Sequence, residues 1–544
     1  MKLFIAGLAG TLLSVAAAAA AEDPNSLDRL LERVVAQEQR FVQNLSTRTP
    51  LVENYIQETG DAATRTRTPQ DHYFLGRLGL SGGTLNYTQM AFRSDTPKNT
   101  HTSYLKNRSI VFVPAGFAQM VFMDLNGFDR ARYTFEYVRR EFLGDIRCLV
   151  LDVTPTNREE EGRFFGRIWV EDGDFNIVRF NGTYTKPTSR RLYFHFDSWR
   201  INIEPKLWVP LCTYVEESTT PGDLKAVSGS SFKGQTRLWG YNTGKSARMD
   251  ELTKILIELN APVKDKEAAV DASPLESQRS WERQAEENIL DRLVKSGLIA
   301  PKGPVDDVLN TVVNNLIVTN TLTVEATVRI LMTTPLETFT VGHTIVVSRG
   351  LIDVLPDESS LAMVLGGELA HIALGHRTNT QFAFNNQTMV SDEELLSRFR
   401  FARTPAEIAS AGRKAVEILG NSPYKEKLAN AGLFLKALAS RAAEFPNLIR
   451  ANIGNQLAGG DNLVRLGELA KGAPQLENDK LEQIAALPLG SRIKVNPWLN
   501  TITMMKARPV SLLSPREKLS FEVTPFLLHL TRAETPPAEK LQQP

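Results

Sequence analysis

Glu368 and His371 lie three residues apart in the run Leu361-Ala-Met-Val-Leu-Gly-Gly-Glu-Leu-Ala-His371. At helical spacing Leu361, Val364, Leu365, Glu368, His371 and Ile372 share one face, so an acid and an imidazole interrupt an apolar stripe. Polar groups placed there cost stability unless they are paired or bind something. A chemical reason is at hand. In the pattern H-E-x-x-H, two imidazoles one turn apart hold a zinc ion, and the glutamate polarises a bound water for attack on a peptide carbonyl. Here the five positions read Gly367-Glu-Leu-Ala-His371, so the first histidine is a glycine. Glycine offers no donor atom, and the Gly366-Gly367 pair inside a helix costs roughly 1 kcal/mol per residue against alanine.

The elements that must position these groups are legible. Thr344–Ser348 is a β-branched strand broken at Gly350, and Asp357 or Ser359 opens the helix. His376 follows His371 by five residues, about 140° further round an unbroken helix, and on that geometry points elsewhere. His343, on the preceding strand, is the one candidate to replace the missing imidazole. The histidines at 72, 101, 195 and 529 sit in unrelated segments.

Val346-Val-Ser-Arg-Gly-Leu351 and the run Asp357–His376 resemble the HtpX-like and CAAX-prenyl-protease type of zinc metalloendopeptidase, a gluzincin family. The likeness extends from near residue 288 to near residue 480. It implies a zincin-like fold, a zinc cofactor, Glu368 at the general-base position, His371 as a ligand and Gly367 at a degenerate ligand position. The family's third ligand is a glutamate in E-x-x-A-D on a later helix, matched here by Pro405–Leu419. One register puts Ile408 at the ligand and Gly412 at the aspartate. Shifted by one, Glu407 becomes the ligand and Ala411 replaces the aspartate. The expected site is therefore His371, with Glu407 in the second register, and zinc is held weakly or not at all. Without an ion beside it, Glu368 is expected to have its pKa raised by desolvation and to bond His371 or solvent.

Upstream of this segment the pattern differs. Met1–Ala21 has a basic start, an apolar stretch Leu3–Val15 and small residues at Ala19–Ala21, the form of a secretory signal. Leu27, Leu30, Leu31, Val34, Val35, Val42 and Leu45 recur at helical spacing behind Ser26 as N-cap. Alternating runs then follow to about Val215: Tyr133–Tyr137, Ile146–Val150, Phe164–Val170, Phe175–Phe180 and Leu192–Trp199. Separated by turn-favouring Gly-Asp, Asn-Gly and Asp-Gly pairs, they predict an antiparallel sheet. Gly166–Glu171 and Asn176–Arg179 resemble the hairpins of periplasmic LolA-type lipoprotein carriers, which implies an apolar groove for an acyl chain or an envelope protein. The alternative is a sheet whose aromatics are simply core. Cys148 and Cys212 either pair, which stabilises by roughly 4 kcal/mol on the chain-entropy estimate, or stay as buried thiols.

The 63 basic and 62 acidic residues balance, which argues against a nucleic-acid partner, and after the leader no window reaches the apolar length of a transmembrane segment. The fold class read from these patterns is α+β multidomain, an antiparallel β-rich domain followed by a mainly helical zincin-like domain. Its parts are a signal peptide at 1–21, the β-rich domain at 22–250 with its opening helix, a polar linker at 251–287, the peptidase-like domain at 288–480, and an extension with a loose tail at 481–544. Three functions remain open. The leading one is a periplasmic or secreted pseudo-peptidase that binds extended polypeptide or a client envelope protein by strand addition beside Thr344–Ser348. The others are an active zinc metalloendopeptidase with atypical ligands, and a lipid or lipoprotein carrier working through the N-terminal sheet.

Overall fold

The computed structural model describes residues 24–533, apart from 59–69, 82–83, 91–100, 106–107, 113, 125–126, 186–192, 219–231, 242–273, 381–382, 385–397, 459–464, 478–479, 481–482, 491–492, 497–500 and 505–520. The expected leader at 1–21, most of the expected linker and the expected tail at 534–544 lie outside the described residues.

The amphipathic run that follows the leader-like stretch is a helix, α1 (Pro24–Ser46), which already includes position 26, so Ser26 is not its cap. Ten strands of a single antiparallel sheet follow: β1 (Leu51–Glu58), β2 (Gln70–Ser81), β3 (Thr84–Gln89), then, beyond a separate hairpin of β4 (His101–Leu105) and β5 (Arg108–Phe112), β6 (Tyr133–Leu143), β7 (Ile146–Pro155), β8 (Phe164–Glu171), β9 (Ile177–Tyr184), β10 (Tyr193–Glu204), β11 (Leu207–Ser218) and β12 (Phe232–Trp239). Their order is β3-β2-β1-β12-β11-β10-β9-β8-β7-β6, a meander in which β12 returns to pair with β1. Phe175, expected inside a strand, lies in the turn before β9 with φ of 65°.

Away from the edge strand β6, where Tyr137 and Phe142 are exposed, both faces of this sheet are buried, which is why its strands carry apolar residues at consecutive positions as well as alternate ones. On one face Phe164, Ile168, Phe180, Phe196 and Phe232 pack under Leu31 and Val34 of α1 and under Phe117, Met120 and Met123. These aromatics of the sheet are core. On the other face Tyr55, Cys148, Val150, Trp169, Trp199 and Cys212 join the hydrophobic core of the C-terminal half. Cys148 and Cys212 are free thiols on β7 and β11, with β8, β9 and β10 between them. Four strand spacings of ~4.8 Å put them roughly 19 Å apart, far beyond disulfide reach. Burial pushes both thiols up to about 12.

The C-terminal half begins with α2 (Pro274–Lys295), whose Ala285, Ile289 and Leu293 are fully buried. The C-terminal part of the expected linker, from Pro274 on, thus belongs to a core helix, hidden in the sequence by its many Arg and Glu residues. After α3 (Pro304–Thr319) come β13 (Thr327–Leu331), β14 (Glu337–Val341), β15 (Thr344–Ser348), α4 (Arg349–Val354), α5 (Glu358–Ala373), α6 (Pro405–Gly420), α7 (Leu428–Arg441), the short α8 (Pro446–Ile449) and β16 (Asn455–Gln456). These strands form a small sheet in the order β13-β15-β14-β16. β15 is flanked on both sides, parallel to β13 and antiparallel to β14. Strand addition beside Thr344–Ser348 is therefore ruled out, because β15 has no free edge.

Buried carboxylates join the two halves. Glu53 on β1 accepts from the Thr334 amide and hydroxyl, both at 2.7 Å. Asp71 on β2 accepts from the amides of Asn447 and Leu448 at 2.9 and 2.7 Å, capping α8 from the other half of the molecule. Removing that cap with Asp71→Ala strands two amides at the junction. The expected loss is about 1–3 kcal/mol of unfolding free energy in urea titrations; a change within error would mean the junction does not depend on it.

Candidate functional site

The sequence places α5 as read. Asp357 is its N-cap, its side chain accepting from Ser360 N at 2.8 Å, and almost the whole helix from Ser359 to Ile372 is buried. Gly366 serves packing: a Cβ there would stand 3.4 Å from Leu419 Cδ2 and 3.6 Å from Leu316 Cδ1. At Gly367 a Cβ would meet Arg465 Nη2 and Leu466 Cδ1, each at 3.7 Å. The space in which a histidine at 367 would project its ring is bordered by a guanidinium.

That guanidinium is the centre of the site. Arg465 Nη2 donates to Glu368 Oε1 at 2.6 Å, and Arg465 Nη1 donates to Thr338 Oγ1 at 2.9 Å. Thr338, on β14, in turn donates to Glu368 Oε1 at 2.5 Å. Glu368 is fully buried and Arg465 is 5% exposed. A second guanidinium, Arg403, donates to Arg377 O and to Thr340 Oγ1, each at 2.6 Å, and its charge also acts on Glu368. Burial alone would push the Glu368 carboxyl up, but the charges of Arg465 and His371 and the bonds from Thr338 and Arg465 hold it below the usual carboxylate range. This reverses the expectation of a raised pKa. Its bonding partners are Arg465 and Thr338, where His371 or solvent was expected.

His371 is buried, and its pKa is lowered to about 4 by burial first, with Arg465, Arg403 and His376 adding to it against the opposing pull of Glu368. It is a neutral imidazole at neutral pH. Its Nδ1 shares a hydrogen bond with Nδ1 of His376 at 2.8 Å. The expectation that His376 points elsewhere fails because the helix does not continue. Leu374 is the C-cap, Gly375 turns left-handed at φ of 68°, and the amides of Gly375 and His376 return to the carbonyls of Ile372 and His371. This is a Schellman end, and it folds the second ring back onto the first.

The other candidates do not converge. Glu407 closes the capping box of α6, accepting from Thr404 N at 2.9 Å and Thr404 Oγ1 at 2.8 Å. His343 sits exposed in the turn between β14 and β15, bonded to Glu325 O at 2.8 Å. Among the described residues no group of three or more His, Cys, Asp or Glu side chains is placed to hold a metal ion. The residues present do not fit zinc: position 367 has no donor, Glu407 is tied to its own helix start, and a fixed positive charge lies against Glu368. Nor, among the described residues, is any helix long and apolar enough to cross a membrane.

Residues 308–445 match peptidase family M48. No curated protein matches the sequence. Among solved structures, the crystal structure of a domain described as an outer membrane lipoprotein-sorting protein from Vibrio parahaemolyticus aligns at 12% identity, covering 42% of this chain and 98% of that one with a TM-score of 0.23. A DUF1329 family protein from Desulfovibrio piger aligns at 13% identity, covering 41% of this chain and 98% of that one with a TM-score of 0.21. These TM-scores are too low to define a shared fold. Arg465 lies beyond the segment that matches the peptidase family, so no motif of that segment points to it.

Proposed function

Because residues 308–445 form a metallopeptidase-like domain of family M48, we propose that this chain is a pseudo-peptidase in which an arginine has taken over the place of the metal. The observation that carries this reading is the position of Arg465, 2.6 Å from the general-base carboxylate and 3.7 Å from where a side chain at 367 would begin. A guanidinium neutralises Glu368 but activates no water, and a carboxylate held ionised by two donors is a poor base. The place left for an extended polypeptide or a client protein is the outer edge of β14, which β16 covers in this structure. The leader-like Met1–Ala21 supports work in the periplasm or outside the cell.

The two other readings lose support. An active zinc enzyme needs ligands that converge, and His343 and Glu407 are each engaged elsewhere. A lipid carrier needs an open apolar face, whereas α1 and Phe117–Met123 pack over one face of the sheet and the C-terminal half over the other.

The test is metal analysis of protein purified without added metal, joined to a casein-hydrolysis assay with Glu368→Gln as control. Zinc well below one ion per chain and hydrolysis at background in both proteins are expected. Stoichiometric zinc together with activity that disappears in Glu368→Gln would sink the reading.

A further inference from the structure

The cleft edge of β14 carries a segment of the same chain. Asn455 and Gln456 pair antiparallel with Thr338 and Glu337, on the strand whose Thr338 reaches Glu368. The Glu337 carboxylate gathers three successive amides of that segment, from Asn452, Ile453 and Gly454, at 2.8–2.9 Å. The approach is close: a Cβ at Gly454 would stand 2.7 Å from Thr338 O, so only glycine fits there. Asn455 Oδ1 accepts from Arg403 N at 2.7 Å, and Arg465 N returns to Leu457 O at 2.9 Å. Segment and guanidinium thus belong to one piece of structure, with an extended backbone on the edge strand and a side chain on the central carboxylate.

We propose that Asn452–Gln456, with Arg465, is a resident pseudosubstrate, and that an extended polypeptide binds this domain by displacing it from β14. This rests on the pseudo-peptidase reading for the identity of the cleft. Backbone pairing gives an extended segment sequence-tolerant affinity for a strand edge, so the natural competitor for β16 is another strand of that kind. Signs that the strap is imperfectly seated are local. The side-chain Nδ2 atoms of Asn452 and Asn455 are buried with no hydrogen-bond partner among the described residues, as is the Thr333 hydroxyl. Asn452, Ile453, Glu337 and Thr333 line a small cavity. Leu466, next to the arginine, is held left-handed at φ of 60° although it is not glycine. Each is a cost that the fold does not recover while the strap is in place.

Two measurements on the full chain test the idea. In hydrogen exchange, the amides of 452–456 are expected to exchange about tenfold or more faster than those of β15. In the second, Thr338→Cys with Asn455→Cys places a cross-link at the paired positions, and binding of a fluorescent peptide of residues 450–458 is compared between oxidised and reduced forms. The oxidised form should bind about tenfold or more weakly than the reduced one. Strap amides protected as well as those of β15, or equal peptide binding by the two forms, absence in both included, would overturn the proposal. Zinc-dependent casein hydrolysis by the unmodified protein would sink the pseudo-peptidase reading alone and leave the exchange result standing.

Discussion

Arg465→Ala will destabilise the protein by about 3–5 kcal/mol, the range for leaving one partner of a buried ion pair without the other. Glu368 is fully buried, its Oε2 has no hydrogen-bond partner among the described residues, and its Oε1 accepts from Arg465 and Thr338. Arg465→Lys should recover only part of the loss, because one ammonium cannot reproduce the fork that reaches both Glu368 and Thr338. The informative partner is the double variant Arg465→Met with Glu368→Leu. Exchanging a buried ion pair for apolar groups of similar volume is often neutral or stabilising, so this protein should unfold at close to the wild-type urea concentration. A single Arg465→Ala that costs less than about 1 kcal/mol would mean that the pair is solvated, and the arginine could not then stand in for a metal.

How far the sequence discloses this arrangement depends on whether each feature is local. The helix from Asp357, the strand Thr344–Ser348 and the loss of a ligand at Gly367 are written in periodicity, capping residues and a five-residue pattern, and the structure holds the first two as read. The contact that replaces the ligand is not local: Arg465 lies 97 residues after Glu368, and nothing in its neighbours marks it as different from a surface arginine. His376 was misplaced because helical geometry was carried past Gly375, where the backbone turns left-handed. Glu407 invited a metal role by its place near the expected third ligand, yet Thr404-Pro-Ala-Glu407 also reads as a capping box, and that local use is the one the structure makes of it. In the N-terminal half, the run of aromatics favoured a core over a groove without excluding the groove; what buries it is α1 and the C-terminal half, neither of which those strands specify.

Restoring the missing ligand will not restore the metal. In a site that had lost a single histidine and nothing else, Gly367→His would complete the pair with His371 and zinc would bind. Here the new Cβ is tolerated, since its nearest neighbours stand at 3.7 Å, and Gly367→Ala is expected to stabilise α5 by up to about 1 kcal/mol. The imidazole beyond that Cβ must compete with Arg465 and Leu466 for space, an overpacking that costs roughly 1–3 kcal/mol. A zinc ion entering beside Glu368 would also face a guanidinium already bonded to it. The expected result for Gly367→His is zinc content no higher than that of the unmodified protein, measured by competition with a chromophoric chelator, and casein hydrolysis at background. In Gly367→His with Arg465→Ala, measurable but weak zinc binding should appear, because two imidazoles and Glu368 are then free of the competing cation. Hydrolysis should still be lacking, since Glu407 remains tied to Thr404 and supplies no third ligand. Stoichiometric zinc in the Gly367→His protein alone would show that Arg465 swings aside at little cost and that Glu407 leaves its cap to coordinate, and the arginine would then be a plug in a metal site instead of its replacement.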